Sequence, residues 1–146
     1  MNMHGLLNGA ELRWVGAAVA AASSTDQNSA RIDMTDYESA LFLVPIIDSA
    51  QTGVATLKIE ENDADSDTGM TAITGASATK TSLANDDLNN KLLAVELINP
   101  SKRYVQAVIT SATANIAFGE TIAILRPRRF PAEQGATVLA ATIKAL

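Results

Sequence analysis

The sequence predicts an all-β protein: an antiparallel β-sandwich or barrel-like, jelly-roll-like single domain with extended arms at both ends. Three observations carry this. From residue 37 onward, apolar segments of seven to ten residues recur between clusters of Asn, Asp, Ser, Gly and Pro. At least one of them alternates with a two-residue period, as a half-buried strand does. Between them no stretch shows a strong 3.6-residue period, so alternating β and α units are not expected. A chain of 146 residues suits one core.

Taken in order, residues 1–28 are rich in Ala, Ser, Asn and Gly and read as an N-terminal arm. Within it the run 14–22 (WVGAAVAAA) has the outline of a secretory signal, but it is short, dominated by alanine and preceded by Glu11 beside Arg13 instead of a positive cluster. It is also shorter than the roughly 20 apolar residues that span a bilayer, and no membrane partner is expected. Residues 29–130 form the expected sandwich domain. A short strand is expected over 29–34. The nearly continuous apolar run 41–47 (LFLVPII) is the next, and Pro45 predicts a bend or a sheet edge there, because proline cannot donate to a ladder. Residues 54–60 put Leu57 and Ile59 on one face and Lys58 and Glu60 on the other. A short candidate at 72–83 follows, then runs at 92–98, 103–110 and 116–125, for seven or eight strands in all. Residues 131–146, following Pro127 and Pro131, form a C-terminal tail. Val138, Leu139 and Ile143 fit one face of a short helix, and the same run fits a strand; periodicity does not decide between them at this length.

Hydrophobic residues make up 47% of the chain but lean on alanine, and aromatics are 4%. Each buried position then contributes little apolar area, which predicts that subunit contacts help hold the fold. The absence of cysteine excludes disulfides, thiolate nucleophiles and Cys-ligated metals. A net charge of −5 argues against general nucleic-acid binding, which leaves a basic footprint.

The candidates for chemistry are few. His4 is the one histidine, near the N-terminus, so neither a Ser-His-Asp arrangement nor zinc is expected. No enzyme activity and no cofactor are predicted. The stretch 75–81 (GASATKT) lacks the glycine a phosphate loop needs, because that position holds Lys80. The acidic stretch 60–70 (EENDADSDTGM) places Asp63, Asp65 and Asp67 at alternate positions, as calcium loops do. An EF-hand starting at Asp63 would need glycine and glutamate where Thr68 and Thr74 stand, and its flanks read as strands. The expectation is a solvated hairpin tip, with an irregular calcium site on those three aspartates as a weak candidate. The stretch 126–131 (RPRRFP) concentrates Arg126, Arg128 and Arg129 on an extended, proline-stiffened path. It is either a solvated exit segment or an interaction site for an acidic neighbour or a phosphate.

Three pieces, 55–69 (ATLKIEENDADSDTG), 100–109 (PSKRYVQAVI) and 126–131, together resemble a group of small structural proteins encoded near the capsid genes of tailed bacteriophages. In that group an acidic-tipped hairpin is followed by a "KRY" strand and a proline–arginine exit. The resemblance covers about residues 37–131, and the acidic loop here is longer by Ala64 and Ser66. It implies a virion component with a β-sandwich core: a decoration or cement protein on the capsid surface, assembled in the bacterial host cytoplasm. Its partners would be the major capsid protein and neighbouring copies of itself, as a trimer first and a dimer second. Head–tail connector or tail component is the nearest alternative. A calcium- or carbohydrate-binding module of an adhesin is a further one, although Trp14, Tyr37 and Tyr104 are, besides three phenylalanines, the only aromatics it could use.

Overall fold

In the computed structural model, which describes residues 5–144, the run 41–47 lies inside the longest strand, β5 (Tyr37–Ser49). Its even positions Ala40, Phe42, Val44 and Ile46 point into the core and are at most 2% exposed, while Leu41, Leu43 and Pro45 lie half-buried on the opposite face. Around β5 the chain makes one four-residue helix, α1 (Leu6–Gly9), and the strands β1 (Glu11–Gly16), β2 (Val19–Ala22), β3 (Asp26–Asn28), β4 (Ile32–Asp33), β6 (Val54–Asn62), β7 (Thr71–Thr81), β8 (Lys91–Ile98), β9 (Tyr104–Ala112), β10 (Ile116–Phe118) and β11 (Thr121–Pro127). Every pairing is antiparallel.

Three pairs of these strands run end to end. β11 pairs with the first half of β5 and β10 with its second half. β1 and β2 continue outward along β11 and β10 in the same way, and β3 and β4 share β9. The molecule is therefore two four-line sheets: β1/β2, β11/β10, β5, β8 in sheet A and β3/β4, β9, β6, β7 in sheet B. Numbered along the chain, the lines run 1-8-3-6 and 2-7-4-5, the order of an eight-line jelly roll built from two Greek keys. The core between the sheets is aliphatic, with Phe42 and Phe118 as its largest members.

Four expectations change. Residues 11–28 are not an arm: they supply β1, β2 and β3, because Val15 is 3% exposed inside the core and the intervening backbone completes both sheets. Residues 116–125 are two strands, broken at Gly119 and Glu120. Pro45 is not at an edge, since β5 has a neighbour on both sides. Its missing donor falls where the β5 pairing passes from β10 to β11, between Phe118 opposite Ile46 and Ile122 opposite Leu43. There the Gly119 N–H donates to the Pro45 carbonyl at 2.8 Å. The tail, 131–144, is neither helix nor strand. Its Ala132 N–H bonds the Asn8 carbonyl, and Gln134 takes the Leu12 N–H on its Oε1 while donating from Nε2 to the Leu7 and Ala10 carbonyls. These bonds cap the free edge of β1, a backbone row that would otherwise invite another strand.

The closeness of Gly119 to Pro45 yields a test. A Cβ at residue 119 would lie 2.5 Å from Pro45 Cγ, inside any tolerable contact. Gly119→Ala is expected to cost about 1–3 kcal/mol in chemical denaturation. Adding Pro45→Ala should recover part of that loss; two strictly additive losses would show that the ring is not what the glycine accommodates.

Candidate functional site

The acidic hairpin is organised by an asparagine at its base. Asn62, 8% exposed, donates from Nδ2 to the carbonyls of Ser66 (2.9 Å) and Thr68 (3.0 Å), and its Oδ1 accepts from the Ala64 N–H. Arg31, from the turn between β3 and β4, reaches across to donate from Nε to Asp65 (2.6 Å) and from Nη1 to Asp67 (2.7 Å). The two carboxylates in turn raise the guanidinium's pKa. Two of the aspartates considered as calcium ligands hold an arginine instead, and Asp63 is exposed. Among the described residues no three His, Asp or Glu side chains are grouped to hold a metal. His4 lies outside the described residues. Gly75, at φ +83°, sits in a bulge of β7 between the pairings of Ala72 and Ser77, on the free edge of sheet B.

The arginines divide into two sets. Arg13 pairs with Glu11, Arg31 with Asp65 and Asp67, Arg103 with Asp33, and Arg126 with Glu38 at 2.6 Å. The Arg103 fork and the Thr35 hydroxyl hold the Asp33 carboxyl well below the usual carboxylate range. Arg128 and Arg129 are exposed and make no ion pair among the described residues. The backbone places them: the Arg128 N–H donates to the Asp36 carbonyl at 2.8 Å, which turns the chain off the end of β11. So of the three predicted interaction residues, Arg126 is engaged in the fold, lying also over the Phe130 ring, and the other two are free to meet a partner.

Beside this exit is a cleft of about 270 Å³ lined by Glu11, Asp36, Tyr37, Arg129, Pro131 and Glu133 among others. At its floor Glu11 is 5% exposed, bonded by Arg13 Nε (2.9 Å) and Nη2 (2.7 Å) and by the Tyr37 hydroxyl. Burial, with the Glu11 carboxylate next, pushes the Tyr37 phenol up to about 12. A Cβ at Gly135 would come within 3.0 Å of Glu11 Oε1, so the tail lies against this cluster.

The feature that the sequence reading passed over is the outer face of sheet A. Leu12, Trp14, Ile122, Ile124, Leu41, Leu43 and Pro45 face away from the core across three adjacent strands, and Leu92, Ala94 and Ile98 continue the face on β8. A groove of about 480 Å³ runs through it between Trp14, Leu43, Pro45, Leu92, Glu120 and Ile122. The signal was present: residues 41–47 and 92–98 are nearly continuous apolar runs, the pattern of strands covered on both faces.

No protein-family model matches the chain, and no curated protein matches it. Among solved structures it is similar to the PBSX exported protein XepA, with a TM-score of 0.54 at 15% identity over 99% of this chain. The chain spans 46%, a little under half, of that protein. It also aligns with a structure described as "CBM4 structure and function", at a TM-score of 0.45 and 12% identity, over 84% of this chain and 80% of that one. The XepA likeness is one of fold.

Two outcomes follow from the site's electrostatics. The loop should depend on its asparagine more than on its ion pairs: Asn62→Ala is expected to cost about 1–3 kcal/mol of unfolding free energy, and Arg31→Ala clearly less, because the ion pairs are exposed. Equal losses would contradict this. The raised Tyr37 pKa contributes stability that is whole below about pH 10, its ordinary value, and is lost as pH rises through about 12. The melting temperature should fall across that interval and fall less in Tyr37→Phe; identical alkaline profiles would remove Tyr37 from the account.

Proposed function

We propose that the protein is a structural component of a tailed-phage virion, a decoration protein that attaches to the outside of the capsid shell and stabilises it. The observation that carries this reading is the pair Arg128 and Arg129. In a chain of net charge −5 whose other arginines are all bound to their own carboxylates, these two stand exposed beside Phe130 on an irregular segment. Unpaired guanidinium forks beside an exposed aromatic ring suit carboxylates on a partner surface. The sequence resemblance over residues 37–131 supports the same reading, and the fold likeness to the PBSX exported protein XepA accords with it. A two-sheet sandwich with a tied-down tail is a stiff block, suited to bridging neighbours in a shell.

One observation favours a carbohydrate-binding role instead: Trp14, 46% exposed, stands at a groove. The rest of that groove counts against it. Its other lining is Leu43, Pro45, Leu92 and Ile122, with Glu120 as the sole polar side chain, whereas a sugar site needs several placed hydrogen-bonding groups.

The test is binding of the purified protein to expanded capsids that lack it. Wild-type protein should bind and raise the capsid melting temperature. Arg128→Ala with Arg129→Ala should weaken binding about tenfold, more so at low salt, with the protein's own stability unchanged. Failure to bind any capsid form would overturn the proposal.

A further inference from the structure

The outer face of sheet A carries a large apolar surface. Trp14, Ile47, Leu92 and Ile98 are 46%, 53%, 62% and 71% exposed. At about 200 Å² for a fully exposed large apolar side chain, these four alone leave on the order of 500 Å² in water. The half-buried Leu41, Leu43, Ile122 and Ile124 bring the face toward the roughly 800 Å² per partner of a standard specific interface. That puts the face at the upper end of, or beyond, the roughly 300–600 Å² of the largest patch on a typical monomer, a patch that is itself often functional. The tail does not cover it: Thr137 accepts the Trp14 N–H at the strand edge, and the indole remains exposed.

We propose that this face binds a second copy of the chain about a two-fold axis parallel to the strands. The register decides the occupant. One row across the sheet reads Trp14, Ile122, Leu43, Ala94, from β1 to β8. A two-fold axis running between β11 and β5 lays this row over its own reverse, so the largest side chain, Trp14, stands over the smallest, Ala94, and Ile122 over Leu43. Large-on-small pairing at both flanks is the interdigitation that aligned sheet-on-sheet packing requires. The charges agree. Arg126 lies in the row of Ser39 and Ile98, and Glu96 lies in the adjacent row of Leu41, on the opposite flank of β5. The same axis brings Arg126 of each copy to within one strand and one row of Glu96 of the other, a span an arginine side chain covers. Both side chains are exposed in the monomer, and Arg126, paired there with Glu38 at 2.6 Å, would exchange that partner for Glu96 of the other copy.

Association would also be visible to a single probe, because Trp14 is the one tryptophan in the chain. The experiment uses the purified full-length protein with no capsid present, so its failure would leave the decoration proposal standing. Sedimentation equilibrium over a wide concentration range should show a monomer–dimer equilibrium, with Trp14 emission shifting to the blue in step with dimer formation. Ala94→Arg, at an exposed position, should weaken the dimer at least a hundredfold and abolish the shift while the melting temperature at low concentration stays the same. Glu96→Arg should weaken it about tenfold, and adding Arg126→Glu, which also gives up the Glu38 pair, should recover part of that loss. A wild-type chain that stays monomeric throughout would overturn the proposal, as would an assembly of any size that Ala94→Arg leaves intact.

Discussion

The structure depends on a single strand that is apolar on both sides. β5 sends Ala40, Phe42, Val44 and Ile46 into the sandwich and Leu41, Leu43 and Pro45 out of it. Sheet B covers the inner set and closes the core. No strand among the described residues covers the outer set, so the element that organises the fold also leaves an apolar face in solvent. An aliphatic core with few aromatics stabilises weakly per residue, and the proposed burial of a second apolar face would add to it by mass action.

The polar chemistry of the chain is directed inward, at holding loops and edges. Arg31 closes the acidic hairpin, Arg103 binds the turn at Asp33, and the Glu11, Arg13 and Tyr37 cluster seats the tail against β1. Each of these carboxylates has a basic partner within the chain. Arg128 and Arg129, at the end of β11, have no ion-pair partner among the described residues, and the backbone bond from Arg128 to Asp36 sets their position. The apolar sheet face and the Arg128–Arg129 pair beyond the end of β11 are different parts of the surface, so the two proposals do not compete for the same residues.

Much of this was legible in the sequence. The strands at 54–60, 92–98 and 103–110 were readable because short apolar runs between turn residues have few other solutions, and their spacing pointed to the sandwich. The N-terminal strands were not: alanine and serine over 17–24 carry little β signal, and only pairing to β10 and β9 makes strands of them. Of the two readings of Pro45, the sheet edge failed because a central strand tolerates proline where its partner breaks, and the break at Gly119 is far along the chain. The calcium loop was an open question for the same reason. Arg31 lies 34 residues before Asp65, and no local pattern announces that contact.

The central claim, that the outer face of sheet A is covered in the working protein, is tested most directly by side-chain footprinting with a diffusing carbene reagent. Labelling would be compared between dilute protein and protein assembled at high concentration or on particles. The account predicts that Leu92, Ile98 and Trp14 become protected on assembly, while Leu83, 74% exposed and away from that face, stays labelled. Undiminished labelling of Trp14 and Leu92 in the assembled state would contradict it.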